Sequence, residues 1–231
     1  MTPRAATAAM PSSRVLDAIR WAGELGAITA DALAIRSRVS VASARSILVA
    51  GERAGLLAAS RPLHRRPALY AITARGLRVA GLEGLAAGRV SASNAAHLVA
   101  VASVAATLAR RHPDHRVQGE RALRREEHLA ARALASARLG TAPDGGPALH
   151  RADLTLWPRG GDEGEPVAVE VELTIKSPRR LTAICRAWAR CSLVAGVLYY
   201  APPEVRRAVQ RAITEAHAAD RVVVLPLDGA M

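Results

Sequence analysis

VAVEVELTIKSPRR, residues Val167–Arg180, sets valine in alternation first with alanine and then with glutamate, and then carries the chain's single lysine, Lys176. A period of two predicts a strand over Val167–Ile175. Residues two apart on a strand share a face and stand roughly 6–7 Å apart. Glu170, Glu172, Thr174 and Lys176 therefore fall on one side, with Val169, Val171, Leu173 and Ile175 on the other. Pro178 then suits the first turn of a helix running to about Arg190. A strand feeding directly into a helix is the unit of a sheet layered with helices.

The flanking segments extend that plan. Upstream, Ser93 is expected to cap a helix to Arg111, a buried one given its alanines and valines, and Arg116–Leu123 reads as a strand carrying Glu120. RREEHLAARALASARLG reads as a charged helix, TAPDGGP as a turn, Leu149–Trp157 as a strand, and PRGGDEGEP as an acidic hairpin. In HRADLTLW, Asp153 and Thr155 lie opposite Leu154 and Leu156. Downstream come a strand at Val194–Ala201, a helix at Pro202–Ala218 and a strand at Arg221–Leu227. On the 178–190 helix, Leu181, Ile184, Trp188 and Cys191 make an apolar stripe, while Arg179, Arg186 and Arg190 lie on another side.

Residues 13–82 are organised differently. Ser13, Thr29 and Ser40 each precede a short amphipathic run, giving three expected helices. Two short extended runs, Leu56–Ser60 and Ala68–Ile72, flank the basic tip RPLHRRP, and Thr73 opens a last helix. The third helix exposes Ser43, Arg45 and Ser46 opposite its apolar side, with Arg53 near its end. The tip supplies Arg61, His64, Arg65 and Arg66. Between the two regions, residues 83–92 read as a glycine- and serine-bearing linker, with 93–231 as the second domain.

The formal net charge is +12 over 231 residues, and residues 1–80 hold 12 arginines against 4 acids. Such a surface attracts polyanions. Because arginine replaces lysine nearly everywhere, arginine richness by itself proves little. The most apolar run, Ala95–Ala109, is too short to span a bilayer, and MTPRAATAAMPSS reads as a frayed tail rather than a leader. The expectation is a cytoplasmic protein without membrane contact, with Cys185 and Cys191 as reduced thiols. The histidines show no metal-ligand spacing.

The stretch GERAGLLAASRPLHRRPALYAITARGLRVA resembles the winged helix-turn-helix family, with a helix end in Gly-Leu-Leu, a basic wing and then Tyr-x-Ile-Thr-x-x-Gly. That resemblance implies that residues 13–82 bind double-stranded DNA. Ser43, Arg45, Ser46 and Arg53 would face the major groove, and Arg61, His64, Arg65 and Arg66 the phosphates or the minor groove. The second region resembles the PD-(D/E)XK nuclease-like fold, an αβββαβ core here extended by a further helix and strand. The expected class is thus α+β, a winged helix followed by an α/β domain. The nuclease resemblance implies Asp153 and Glu170 as Mg²⁺ ligands if the site is active, Glu172 as a third acid and Lys176 as a cation. Glu120 is a further candidate acid. The pattern departs from the family where Glu172 occupies the lysine position. Lys176, six residues beyond Glu170, is roughly 20 Å away on an ideal strand. As a whole, the chain resembles the replication-relaxation family of plasmid and mobile-element proteins. Three readings stay open: a DNA-binding protein that does not cleave, a magnesium-dependent endonuclease, and a protein–protein adaptor. A homodimer reading two half-sites is compatible with the first two, although no dimer stripe is visible.

Overall fold

The computed structural model describes residues 11–159 and 164–227. Most of the expected tail and the centre of the expected acidic hairpin lie outside the described residues. Within them the chain is an α+β protein whose elements occur in this order: α1 (Ser13–Leu25), β1 (Ala27–Ile28), α2 (Ala30–Ser37), α3 (Val41–Arg53), β2 (Leu57–Ser60), β3 (Leu69–Ile72), α4 (Ala74–Ala80), α5 (Ala95–Arg111), β4 (His115–Gly119), α6 (Glu120–Ala130), β5 (Ser136–Thr141), β6 (Pro147–Arg151), β7 (Leu154–Pro158), β8 (Val167–Val171), α7 (Pro178–Ala189), β9 (Gly196–Ala201), α8 (Pro203–Ala216) and β10 (Val222–Pro226).

Side-chain oxygens of Thr29, Ser40 and Thr73 accept from the first-turn amides of α2, α3 and α4, as expected of caps. Ser12, not Ser13, caps α1. Ser93 does not cap α5. The Asn94 side chain instead closes a local turn by accepting from the Ser91 amide at 2.8 Å and donating to the Arg89 carbonyl. β1 joins the β2–β3 hairpin to make a small antiparallel sheet in the order β1-β3-β2.

The large sheet runs β10-β9-β8-β7-β4. β4, β7 and β8 pair antiparallel, while β8, β9 and β10 pair parallel through the crossover helices α7 and α8. β5 and β6 form a separate two-stranded ribbon. Val169 and Val171 of β8 pack into the core shared with α5, whereas Ala168 packs into the core beneath α7 and α8. Both faces of β8 are therefore covered, so the side that carries the glutamates is as enclosed as the side that carries the valines. Glu170 and Glu172 are themselves buried.

Four elements depart from the sequence expectations. The first strand ends at Gly119, and Glu120 opens α6 because Leu123 and Glu127 recur on one buried helical side. That helix ends where Ala131 turns left-handed, and the remainder of the expected helix becomes β5. The expected strand 149–157 is broken at Ala152–Asp153, so its halves serve two different sheets. β8 ends at Val171. The Glu172 amide still reaches the Tyr200 carbonyl at 2.9 Å before the chain turns away.

Residues 83–92 are held on several sides. The Gly88 amide donates to Ile72 O at 2.8 Å, and a Cβ at Gly88 would collide with the Gly26 carbonyl. Arg125 donates to Glu83 O at 2.7 Å, and Arg121 bonds Ala86 O. One hydrophobic core runs from Ile19, Leu33 and Leu48 through Ala102 and Ala105 of α5 to Leu154 and Val169 in the large sheet. The two regions are thus packed together rather than loosely joined.

The β5–β6 ribbon is anchored by one buried acid. Glu127 Oε1 accepts from the amides of Leu134 and Ala135 and from the Ser136 hydroxyl (2.6 Å), while Oε2 accepts from Arg151 at 2.7 Å. Burial raises this carboxyl's pKa, but the donors outweigh burial and hold it below its ordinary value. A depressed folded-state value contributes stability above the unfolded value of 4.5, lost as pH falls through the folded value. Glu127→Ala is expected to cost about 3 kcal/mol in denaturant unfolding, because it strands Arg151 and three other donors. Glu127→Gln is expected to cost less and to flatten the acid limb of the stability profile. An unchanged midpoint for Glu127→Ala would show that the anchor is not formed.

Candidate functional site

The acidic residues singled out by the sequence gather where β8 ends and β7 begins, at the carboxyl end of the parallel strands. Ligands of open α/β sheets commonly bind at that end. Asp153 occupies the bend before β7. Its Oδ2 accepts the Val171 amide at 2.7 Å, and its Oδ1 lies 2.9 Å from Nε2 of His97, in the first turn of α5. Its backbone carbonyl accepts the Glu120 amide at 2.9 Å, tying the start of α6 to the same corner.

Glu170 points to the opposite side of the sheet. Its Oε1 is 2.7 Å from His150 Nε2 and accepts the Trp188 indole N–H at 3.0 Å. The rings of His150 and Trp188 meet edge to face with centroids 5.7 Å apart. Trp188 is fully buried, so it fills the core beneath α7 and also fixes a carboxylate. Glu172 is paired with Lys176, whose side chain comes back across one turn of irregular chain. The roughly 20 Å extension of an ideal strand is never realised, because β8 stops at Val171.

His97 and His150 were not singled out by sequence reasoning. They lie 53 positions apart and share no ligand spacing, so only the fold brings them to the acids. The hydrogen bond to Asp153 raises the pKa of His97 above its ordinary value of 6.5, against opposition from burial. At His150, burial favours the neutral ring, but the hydrogen bond and charge of Glu170 outweigh it and the pKa is also raised. Burial and the nearby Glu170 charge push the Cys185 thiol up to about 11, and Tyr199 is raised well above 10.0 by burial first and Glu170 second. A protonated, buried thiol is a poor nucleophile.

Mg²⁺ needs hard oxygen ligands in a near-octahedral shell. The carboxylates are the right donor type, but Asp153 and Glu170 turn to opposite sides of the sheet and are engaged by protein donors. Asp153 uses both oxygens on protein donors, Glu170 holds two donors on one oxygen, and Glu172 holds an ammonium. Among the described residues, no three His, Cys, Asp or Glu side chains stand together as a metal-holding group. The cluster can store protons and brace the sheet end, with His97 and Lys176 reaching partial exposure.

The second group of candidates lies on α3 and the β2–β3 hairpin. Ser43, Arg45, Ser46 and Arg53 are exposed along α3, and Arg61, His64, Arg65 and Arg66 are exposed at the hairpin tip. The Ser43 hydroxyl sits 2.9 Å from that of Ser40, and Ser46 donates to Ala42 O. Arg65 is left-handed at φ 53°, which turns the tip. Among the described residues, none of these arginines forms an ion pair or a side-chain hydrogen bond. No helix of the described residues is long and apolar enough to cross a membrane. Comparison with protein-family models, curated proteins and solved structures finds no match to this chain.

The imidazole pairs make a pH prediction. A histidine whose folded-state pKa is raised contributes stability below its unfolded value, and this is lost as pH rises through the folded value. Histidine NMR titrations are expected to place both His97 and His150 above 6.5. The melting temperature is expected to fall as pH rises through that region, and His150→Gln is expected to flatten the trend. Midpoints at or below 6.5 would mean that the carboxylate pairs are absent in solution.

Proposed function

We propose that this chain is a DNA-binding protein of the replication-relaxation type that grips duplex DNA without cutting it. In this reading residues 13–82 are a winged helix-turn-helix. The third helix of the unit, α3, enters the major groove, and the β2–β3 hairpin is the wing. The observation that carries the reading is the row of exposed arginines on α3 and the tip, Arg45, Arg53, Arg61, Arg65 and Arg66, which have no partner among the described residues. Around them only Glu52 supplies a negative charge between Arg38 and Arg66. Unneutralised arginine is what phosphate binding requires, since each phosphate engaged releases condensed counterions. The three-helix order and the small sheet β1-β3-β2 support the same assignment.

The second region is read as a nuclease-like scaffold. The antiparallel run β4-β7-β8 followed by the parallel β9 supports that assignment. Its acids serve as braces, because Asp153, Glu170 and Glu172 each already hold a proton-bearing partner. Their role is to keep the scaffold rigid in replication or transfer of mobile DNA, where the region would contact DNA or a further protein.

Electrophoretic mobility shift tests the reading. The full chain is expected to bind duplex DNA with log Kd rising by about 0.9 per log unit of salt for each phosphate neutralised. The double variant Arg45→Ala with Arg65→Ala is expected to weaken binding at least tenfold at about 0.1 M salt, the scale of two arginine–phosphate pairs. Supercoiled plasmid is expected to stay intact in Mg²⁺ or Mn²⁺. Absence of any shift at moderate salt would favour a protein adaptor. Nicking that Asp153→Ala abolishes would establish the endonuclease instead.

A further inference from the structure

Two open clefts meet at the turn between α2 and α3. One, of about 820 Å³, lies between α2, the start of α3 and the carboxyl end of α5. The other, of about 630 Å³, runs from the start of α1 past the same turn to Ala109, Pro113 and Arg159. They share Arg38 and Val39. Arg38 takes the left-handed conformation at φ 55°, so the chain reverses there and leads directly into the Ser40 cap of α3.

The lining is strongly basic. Arg14, Arg38, Arg110 and Arg159 border the two clefts and are exposed. Among the described residues, none of the four has an ion-pair or side-chain hydrogen-bond partner. Arg36 is different, because it is paired with Asp17 and stacks 5.1 Å from the Trp21 ring centroid. Among the described residues, Asp31 is the one acid on the lining that is not so neutralised. Among the described residues, four free guanidinium groups face one free carboxylate, which makes the cleft anion-attracting.

Its position identifies the anion. In a helix-turn-helix, the helix before the turn crosses the backbone while the start of the recognition helix enters the groove, so the turn borders a strand of phosphates. Resting on the DNA-binding reading above, we infer that the Arg14–Arg38–Arg110–Arg159 cleft carries the duplex backbone on the side of α3 away from the wing. The footprint is then composite. Arg110 at the end of α5 and Arg159 after β7 belong to the second region, and they continue a surface begun by α1 and the α2–α3 turn. The shared core through α5 holds these arginines in fixed register with α3.

The test uses the full chain and the double variant Arg14→Gln with Arg110→Gln, one residue from each cleft. Both side chains are exposed, and an unchanged melting temperature checks that the fold is kept. Against a mixed-sequence duplex, the salt slope is expected to fall by about 0.9 for each phosphate no longer neutralised, with roughly an eightfold weaker affinity per phosphate at 0.1 M salt relative to a 1 M reference. Hydroxyl-radical footprinting is expected to lose protection on one flank while the wing flank stays protected. If the double variant matches wild type in slope and footprint while Arg45→Ala with Arg65→Ala weakens binding, the cleft lies off the DNA path and the inference fails. The cleft would then serve another anion, such as an acidic peptide, and the DNA-binding reading would stand. If the wild-type chain binds no duplex, both fall together.

Discussion

The core that joins the two regions is arranged around the burial of α5 on nearly all sides. Ala95, Ala100, Ala102, Ala105 and Ala106 are essentially inaccessible, and Val99, Val101, Val104 and Leu108 are close to it. A helix apolar all round has no face to offer water and must be enclosed. Here it is enclosed by α1 and α2 on one side and by β4 and β8 on the other. Alanine lets neighbouring backbones approach closely, so the packing is short-range and stiff. Glycine does the same at the next layer, where Gly119 packs so tightly on α1 that a Cβ would lie 2.5 Å from the Glu24 carbonyl. The core beneath α7 and α8 contains no residue of α5 and is a separate cluster.

That enclosure explains the treatment of charge at the end of the large sheet. A buried carboxylate without a partner costs several kcal/mol, so each acid brought into this corner needs a donor. Asp153 takes His97 from α5 and the Val171 amide from the end of β8, tying helix to strand. Glu170 takes Trp188 from α7 and His150 from the ribbon, tying the opposite layer to the same strand. The two acids thus brace β8 from both sides. Residue types suited to metal chemistry are here occupied in holding layers together, and the spacing that suggested a nuclease is equally the spacing needed to reach those layers.

Much of the architecture was legible because it depends on local rules. Thr29, Ser40 and Thr73 announce helix starts through their hydroxyls, Pro178 and the stripe through Trp188 mark α7, and the basic tip marks a hairpin. What escaped depends on partners distant in sequence. The break at Ala152–Asp153 exists because Asp153 is drawn to Val171 and His97, neither of which is its neighbour. β5 was hidden in an alanine- and arginine-rich stretch whose propensity is helical. It becomes a strand because Pro147–Arg151 pairs with it and Glu127 gathers its first amides. At β8 the alternation of valine and glutamate marks two sides of different chemistry, and both are buried. Strands covered on both sides can carry acids inward when the covering layers supply donors, and the sequence of the strand itself contains no record of those donors.

The same distinction governs the arginines. Arg125 donates to a carbonyl of the 83–92 segment, Arg20 to Ala80 O, and Arg221 to Cys191 O and Val194 O. These side chains satisfy backbone acceptors, half-buried ones at Arg20 and Arg221, and a guanidinium with several fixed donors suits that task better than an ammonium would. Their charge is committed to the fold. Arg45, Arg65 and Arg110 have no such commitment among the described residues and are exposed. A chain of net charge +12 therefore contains two arginine populations that composition cannot separate. Only the second can exchange water and counterions for phosphate without dismantling a loop. Because its members stand on α3, the hairpin and the end of α5, a duplex that engages them would meet elements that one continuous core already holds together. The affinity of the whole chain would then exceed what residues 13–82 could reach alone, since the outlying arginines would engage phosphate without a further cost of ordering the two regions.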